Sequence, residues 1–421
     1  MDISRPRKRK TQKETAACDE SQDFISNLPE EVKVKILSYL STRDAVQTCI
    51  LSSKWRYTWT LIPEITIKQA DFEVPKASWR ITRSRLVKFV DVFLYLHNGP
   101  IFKFQLDTDC NKANFDNWIL HLSRRNELCK FSLNIRSMNS MNLYNLPTSL
   151  FSCRGLRILQ LHNCRIKLPR GFLGFKLMRV LELQRFSISG DDLEKFVSSC
   201  PILNELVLKT GRFLVNNPNI CAPKLKKLII HGRFTGLMLK TPCLVKACLD
   251  LEDVPVGMNG RANLVEALGA LPEYLAAGSL PDRLPVTLNK LRILALDVNL
   301  ASHEEASVTR LLLLNAPNLQ ELNLTNSTGD PTLTGTGLWQ ICSDHLFMSL
   351  RVVDLHEFFI SAPEIAFLQF ILGSAPLLEQ LTIVREKDTA AKEKEAVVEI
   401  LEQIPKVSVN LKILFEGTIS F

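Results

Sequence analysis

One spacing governs most of this chain: an apolar residue, two variable ones, an apolar, one variable, an apolar. It occurs at Leu128-Phe131-Leu133, Leu156-Leu159-Leu161, Met178-Leu181-Leu183, Leu203-Leu206-Leu208 and Leu225-Leu228-Ile230. It returns at Leu291-Leu294-Leu296, Leu319-Leu322-Leu324, Leu350-Val353-Leu355 and Leu378-Leu381-Ile383. Starting positions step by 28, 22, 25 and 22 residues, and later by 28, 31 and 28. Residues two apart on a strand share a face, so each copy reads as a short strand with one apolar side. Helical spacing appears between copies, as at 190–199 and 362–373. A unit of one strand and one return cannot bury its own apolar face. Neighbours must stack, and a small rotation per unit curves the stack into a solenoid.

The period is that of leucine-rich repeats. At Leu161 the copy extends to Cys164, whose side chain is expected to turn inward where the chain leaves the strand. Proline stands two residues before the leading leucine at Pro201, Pro223, Pro242, Pro317 and Pro376. It ends the preceding return and aims the chain into extended structure. From Leu244 to Leu291 the interval is 47 residues, room for two units. It contains a helix-like run at 263–271 and no clear strand, so either one unit is degenerate or a long loop departs. Before the clear copies, 84–96 reads as an amphipathic helix and 102–106 as a strand. The charged stretch 386–394 reads as a solvated loop or the exposed start of a helix over 391–404.

Residues 23–63 follow different rules. Leu28-Pro29 precedes Glu30 and Glu31, a helix start that suits proline and acids. Val32, Ile36, Leu37 and Leu40 recur at helical spacing. Ser41 with Asp44 is a capping pattern for a second helix with Ala45, Val46, Cys49 and Ile50 on its apolar face. Ser52 or Ser53 is placed to cap a third, with Trp55 and Trp59 four apart on one side. Three helices in about forty residues cannot bury that much apolar surface, so the surplus is expected to meet something else.

This segment resembles a plant-type F-box: Asp23, Ile25-Ser26-Asn27-Leu28-Pro29-Glu30, Ile36-Leu37-Ser38, Asp44-Ala45-Val46, Leu51-Ser52, Trp55-Arg56 and Trp59. The whole chain resembles the plant F-box/FBD/LRR group, whose C-terminal FBD segment is matched by the LRVVDL, SAPLLEQLTI and LKILFEG stretches. It departs from the group near 270–285, where Leu271-Pro272 runs almost directly into Leu275-Ala276-Ala277-Gly278. The resemblance implies an adaptor of cullin-based ubiquitin ligases as partner, with Leu28, Pro29, Ile36, Leu40, Leu51 and Trp55 at or beneath that interface. The expected organisation is a disordered basic tail (1–20), an F-box of three helices (21–63), a leucine-rich-repeat solenoid (64–344) and an FBD-like segment continuing it (345–421). The fold class is α/β, with a parallel sheet on the concave face.

On that sheet, strand parity turns Leu156, Leu159 and Leu161 to the core and leaves Ile158 and Gln160 outside. The equivalents are Val180 and Glu182, Glu205 and Val207, Lys227 and Ile229, Ile293 and Ala295, Glu321 and Asn323. The polar ones, Gln160, Glu182, Glu205, Lys227, Glu321 and Asn323, are the candidate contacts for a protein target. No cofactor is implied.

Composition narrows the remaining classes. Six cations against Asp2 give residues 1–13 a net charge of +5, so the other 408 residues share only +3 of the +8 total. A body so near neutrality does not argue for a nucleic-acid groove. The tail reads equally as a nuclear localisation signal or a solvated arm. No run of eighteen apolar residues marks a membrane span, and the charged start is no secretory signal. Eleven cysteines, from Cys18 to Cys342, form no CxxC pair, which fits reduced thiols in the nucleus or cytoplasm. GxSxG, Walker A, GxGxxG and HExxH are all absent, so no catalytic residue is assigned. Cys243 and Cys248 lack a second ligand pair and read as core thiols rather than zinc ligands. Asp107 and Asp109 read as a loop edge rather than an acid pair. The expectation is a non-enzymatic substrate receptor. Its alternatives are a repeat scaffold without a ligase role, or a small-molecule-sensing receptor.

Overall fold

The repeats are punctuated by β-turns, and these explain the prolines. The amide of Leu203 donates to the carbonyl of Cys200 (3.1 Å), Leu225 to Ala222 (3.1 Å), Leu244 to Thr241 (3.2 Å), Leu319 to Ala316 (3.1 Å) and Leu378 to Ala375 (3.4 Å). Each is a four-residue turn with proline second, where its fixed φ fits. The same bond joins Leu156 to Cys153 and Met178 to Phe175, where no proline is present.

The computed structural model describes residues 24–73, 75–76, 78–109, 115–125, 127–136, 142–235, 237–251, 288–326, 339, 347–358, 361–385, 401 and 403–417. Its α-helices are α1 (Glu30–Leu37), α2 (Thr42–Gln47), α3 (Trp79–Leu96), α4 (Phe115–Arg124), α5 (Gly190–Ser198), α6 (His303–Leu314) and α7 (Ala362–Ser374). Thirteen strands form one parallel sheet in chain order, from Glu64–Lys68 and Lys103–Thr108 to Gln380–Arg385 and Lys412–Gly417. The last three strands lie within 345–421, the stretch expected to be FBD-like. Lys246–Leu251 pairs directly with Ile293–Val298. No strand of the sheet stands between those two, and the interval itself, expected to hold a degenerate unit or a long loop, lies mostly outside the described residues. The expected helices at 263–271 and 391–404, the basic tail and the loop at 386–394 lie wholly or mostly outside the described residues.

Inward-facing rungs are closed to solvent. Leu159, Leu181, Leu206, Leu228, Leu322 and Leu381 are all buried, as is Cys164 beyond its strand. Burial pushes the Cys164 thiol up to about 12, so it is a packing group. Between the returns, Phe151, Phe172, Phe175 and Phe196 form an aromatic cluster with centroid separations from 5.4 to 6.2 Å. Gly174 makes this packing possible. Its φ is +84°, and a Cβ there would lie 2.0 Å from the Ser199 carbonyl oxygen. The helical returns start on side-chain caps. The Ser189 hydroxyl accepts from the Asp192 amide (3.2 Å), and Ser361 forms a reciprocal capping box with Glu364.

The N-terminal module shares this core. Leu37, Ala45, Trp55 and Trp59 belong to the same buried cluster as the solenoid rungs. The Thr42 hydroxyl accepts from the Thr66 amide of the first strand (2.9 Å). His97 Nε2 meets the Ile62 carbonyl (2.9 Å), and Arg125 donates to the carbonyls of Gly99 (2.9 Å) and His97 (2.6 Å). These bonds tie the module's last turn to α3 and α4. The expected third helix is not continuous. The chain instead makes successive turns from Ser53, then one 3-10 turn over Thr58–Leu61, with Trp55 and Trp59 both buried in the core.

Candidate protein-interaction surfaces

Two surfaces stand out, and they are built in opposite ways. The first is the outer side of α1, α2 and the turn after them. In α1, Lys33 and Leu37 face inward, four apart. That rotation leaves Val32, Ile36 and Leu40 outward at the same spacing. The Lys33 ammonium lies 5.9 Å from the Trp55 ring centroid, which accommodates its charge near the core. α2 buries Ala45, and Ile50 and Leu51 just beyond it are 82% and 74% exposed. Pro29 is the N-cap of α1 rather than its first residue. Ser41 caps α2 by accepting from the Asp44 amide (3.1 Å), while its hydroxyl also donates to the Asp44 carboxylate (2.8 Å).

Of the six residues assigned to this surface, Pro29, Ile36, Leu40 and Leu51 are exposed and Leu28 is half-buried. Trp55 is only 5% exposed. Of the two placements expected for it, at or beneath the surface, its burial leaves the second. Ile50, read as part of the apolar face of the second helix, lies just past α2 and is exposed.

The second surface is the sheet's concave face, where the register sets side chains in rows. The middle row runs Thr66, Gln105, Ser132, Gln160, Glu182, then Val207, Ile229, Cys248, Ala295, then Asn323, Asp354, Thr382. It is polar, then apolar, then polar again. All six candidate target contacts are half-buried here, and they engage one another. Gln160 Nε2 donates to Glu182 (2.7 Å). Lys227 pairs with Glu205 (3.3 Å), and Asn323 Nδ2 donates to Glu321 (3.0 Å). Gln184 also donates to the Glu182 carboxylate, which is thus clasped by two amides.

Around that carboxylate lies a hollow of ≈ 230 Å³ that includes Gln105, Asp107, Asn134 and His162. Burial holds the His162 imidazole below its ordinary pKa and so favours the neutral ring. Sequence reasoning missed this end of the face, although strand parity in Lys103–Thr108 and Lys130–Ile135 carries the signal. Asp107 is paired with Arg136 (2.9 Å) and Asp109 lies past the strand end, so the two make no acid pair. Cys248 is not the core thiol expected of it. Ala247 and Leu249 point inward, which turns Cys248 onto the concave row. Among the described residues, no three His, Cys, Asp or Glu side chains are grouped to hold a metal, and no helix is long and apolar enough to cross a membrane.

Comparison with known proteins agrees with this architecture. The F-box domain model matches residues 25–64, and a model described as "FBD-associated F-box protein At5g56370, LRR repeats" matches 115–324. The chain is 32% identical over 420 residues to F-box/FBD/LRR-repeat protein At1g13570 of Arabidopsis thaliana, covering 94% of this chain and 99% of that one. It is 26% identical to the probable FBD-associated F-box protein At1g32375 of the same plant, over 94% of this chain and 100% of the relative. A third Arabidopsis relative, putative FBD-associated F-box protein At5g56440, is 32% identical over 53% of each chain. With a relative 32% identical over nearly the full length of both chains, and with family models matching both modules, the chain belongs to the plant F-box/FBD/LRR-repeat family.

Proposed function

We propose that this protein is the substrate-recognition subunit of a cullin-type ubiquitin ligase. The F-box binds the adaptor subunit through Leu28, Pro29, Ile36, Leu40 and Leu51, with Trp55 beneath, and the concave face holds a protein target. The observation that carries this reading is the outward apolar set on α1 and the turn after α2. A soluble chain rarely leaves such a contiguous patch uncovered, and interfaces are anchored by a few side chains of this kind. The chain performs no chemistry itself in this reading. A continuous core joins both surfaces, so a bound target is kept near the ubiquitin-loaded enzyme and its effective concentration rises. On the concave side, Gln160, Glu182, Glu205, Lys227, Glu321 and Asn323 frame an apolar centre. That mixture suits a folded or extended polypeptide rather than an anionic polymer. The protein acts in the nucleus or the cytoplasm; deleting residues 1–13 tells whether they are a nuclear signal, by loss of nuclear accumulation, or a solvated arm, by no change.

Leu51→Asp tests the adaptor assignment directly, because a side chain that exposed supports no core. Purified variant and wild type are compared for capture of adaptor and cullin. Loss of capture with unchanged thermal unfolding is expected. Undiminished capture would place the adaptor elsewhere or leave the chain a repeat scaffold without a ligase role.

A further inference from the structure

α3 buries Thr82, Leu86, Val90, Phe93 and Leu94 against the body. A helix at the surface normally turns charged and polar residues outward. Here Trp79, Ile81, Val92, Tyr95 and Leu96 are outward alongside the charged residues, with Tyr95 85% exposed. The adjoining hollow, ≈ 390 Å³, lies between α2 and α3. Its floor includes Trp59, Phe72, Phe89 and Phe93, which pack ring on ring at 4.9 to 5.8 Å. Arg85 and Lys88 line it as well, both exposed. A second hollow shares Lys88 and Val92 and extends along the helix to Trp79 and Arg80.

The charge of this face is mainly positive, with Asp91 the one acid of α3 and part of the second hollow's lining. Arg80, Arg85 and Lys88 lie on α3, whose acid Asp91 accepts from Trp118 Nε1 (2.6 Å). None of the ion pairs among the described residues involves Arg85 or Lys88. The basic stretch 1–13 has the wrong sign to cover this face.

We infer that the outer face of α3 and its hollow form a docking surface for an acidic amphipathic segment of a partner protein. An apolar side chain of that segment fills the aromatic-floored hollow, and flanking carboxylates meet Arg85 and Lys88. The combination selects for both properties at once, since charge alone is screened by salt and an apolar anchor alone gives little orientation. This surface lies on α3, away from the concave sheet, and meets the F-box only at Val46 and Trp59; none of the six adaptor-assigned residues lines it, so the inference does not rest on the ligase reading.

The test uses the full-length protein and a fluorescent helical peptide of Glu and Leu, with Gln-for-Glu and Lys-for-Glu versions as controls. Anisotropy should show the acidic peptide binding at least about tenfold more tightly than the Gln version, with the gain shrinking as salt rises. Arg85→Glu with Lys88→Glu should abolish that gain. Lys224→Glu with Lys226→Glu, an equal charge change on exposed residues elsewhere, should preserve it. Val92→Ser keeps the charge and should weaken the acidic peptide through the apolar half alone. Equal binding of the three peptides, or equal losses in the two double variants, would overturn the inference. So would binding to phosphatidylserine vesicles that depends on Arg85 and Lys88 while the peptide does not bind, since the surface would then serve a lipid headgroup.

Discussion

The F-box and the repeats draw on the same apolar residue types and reach opposite results. In the repeats each leucine rung has a neighbouring rung on both sides, and its inward side chains are sealed. In the F-box, α1 and α2 have the body of the molecule on one side only. Leu37, Ala45, Trp55 and Trp59 are buried there, while Val32, Ile36, Leu40, Ile50 and Leu51 have nothing over them. Stacking in one dimension supplies each interior unit with two partners. A capping module of three short elements receives one. Apolar content therefore reads as stability in one region and as an unfilled binding face in the other.

The sharpest way to break that contrast is to truncate one large side chain in each region. Phe196 is fully buried in the aromatic cluster. Phe196→Ala should lower unfolding free energy by about 3–5 kcal/mol, read from urea denaturation. Leu51→Ala should stay within about 0.5 kcal/mol of wild type. Similar losses at the two positions would mean that the F-box surface is held by intramolecular packing after all. The second effect is on binding. Leu28→Ala with Pro29→Ala should weaken the adaptor by about 2–4 kcal/mol, on the order of 30- to 1,000-fold. Calorimetric titration with purified adaptor checks it, and an unchanged affinity would return these residues to a structural role.

What could be read in advance divides along the same line. The repeat was legible because its period is enforced by burial at every rung, and the prolines marked real turns. Strand parity placed Gln160, Glu182 and Glu205 on the concave side for the same reason. The first two F-box helices were legible as elements, but not in rotation. Val32, Ile36, Leu37 and Leu40 form one apolar stripe in sequence, and only tertiary packing decides that Leu37 turns in while the other three turn out. Trp55 was ambiguous for the same reason, since a tryptophan serves equally as an anchor or as a floor. The clasp of Glu182 was only half legible: parity puts Gln184 beside it on the same strand and the repeat puts Gln160 at the equivalent place on the next, but the side-chain bonds depend on rotamers. The interval 252–287 showed no strand pattern, but which neighbours it separates became clear only from the direct pairing of Lys246–Leu251 with Ile293–Val298.

A smaller effect separates the concave face from the F-box. Glu205→Lys with Glu321→Lys should leave adaptor capture and the urea midpoint nearly unchanged, because half-exposed ion pairs such as Lys227–Glu205 contribute roughly 0–1 kcal/mol. Target engagement should fall, since charges around an interface steer encounter and register. Proximity labelling in cells with a disabled F-box would identify the accumulating targets, and the reversed variant should lose them. Loss of adaptor binding or solubility instead would mean that both glutamates are structural. No change in labelling would move recognition to the loops or the FBD segment.

The smallest effect concerns the joint between the two regions. His97 is buried where the F-box's last turn meets α3, with Nε2 against the Ile62 carbonyl. Burial lowers its pKa below the ordinary 6.5, and the neighbouring Arg125 pushes the same way, while the Ile62 carbonyl partly opposes them. Above about pH 6.5 the imidazole is neutral in the folded and unfolded chains, and it contributes no pH dependence. Below that value the unfolded chain takes up a proton that the folded imidazole resists. Protons then favour unfolding, so stability falls with falling pH until the lowered folded value is passed, by at most about 1.4 kcal/mol per pH unit for one such group. His121 and His162 are lowered in the same direction, also chiefly by burial. Urea midpoints should therefore be lower at pH 5.5 than at pH 7.5. His97→Gln keeps an N–H for the Ile62 carbonyl and removes the titration, so its profile should be flatter from a lower plateau. A profile as steep as wild type would assign the acid sensitivity to His121 and His162, away from the joint.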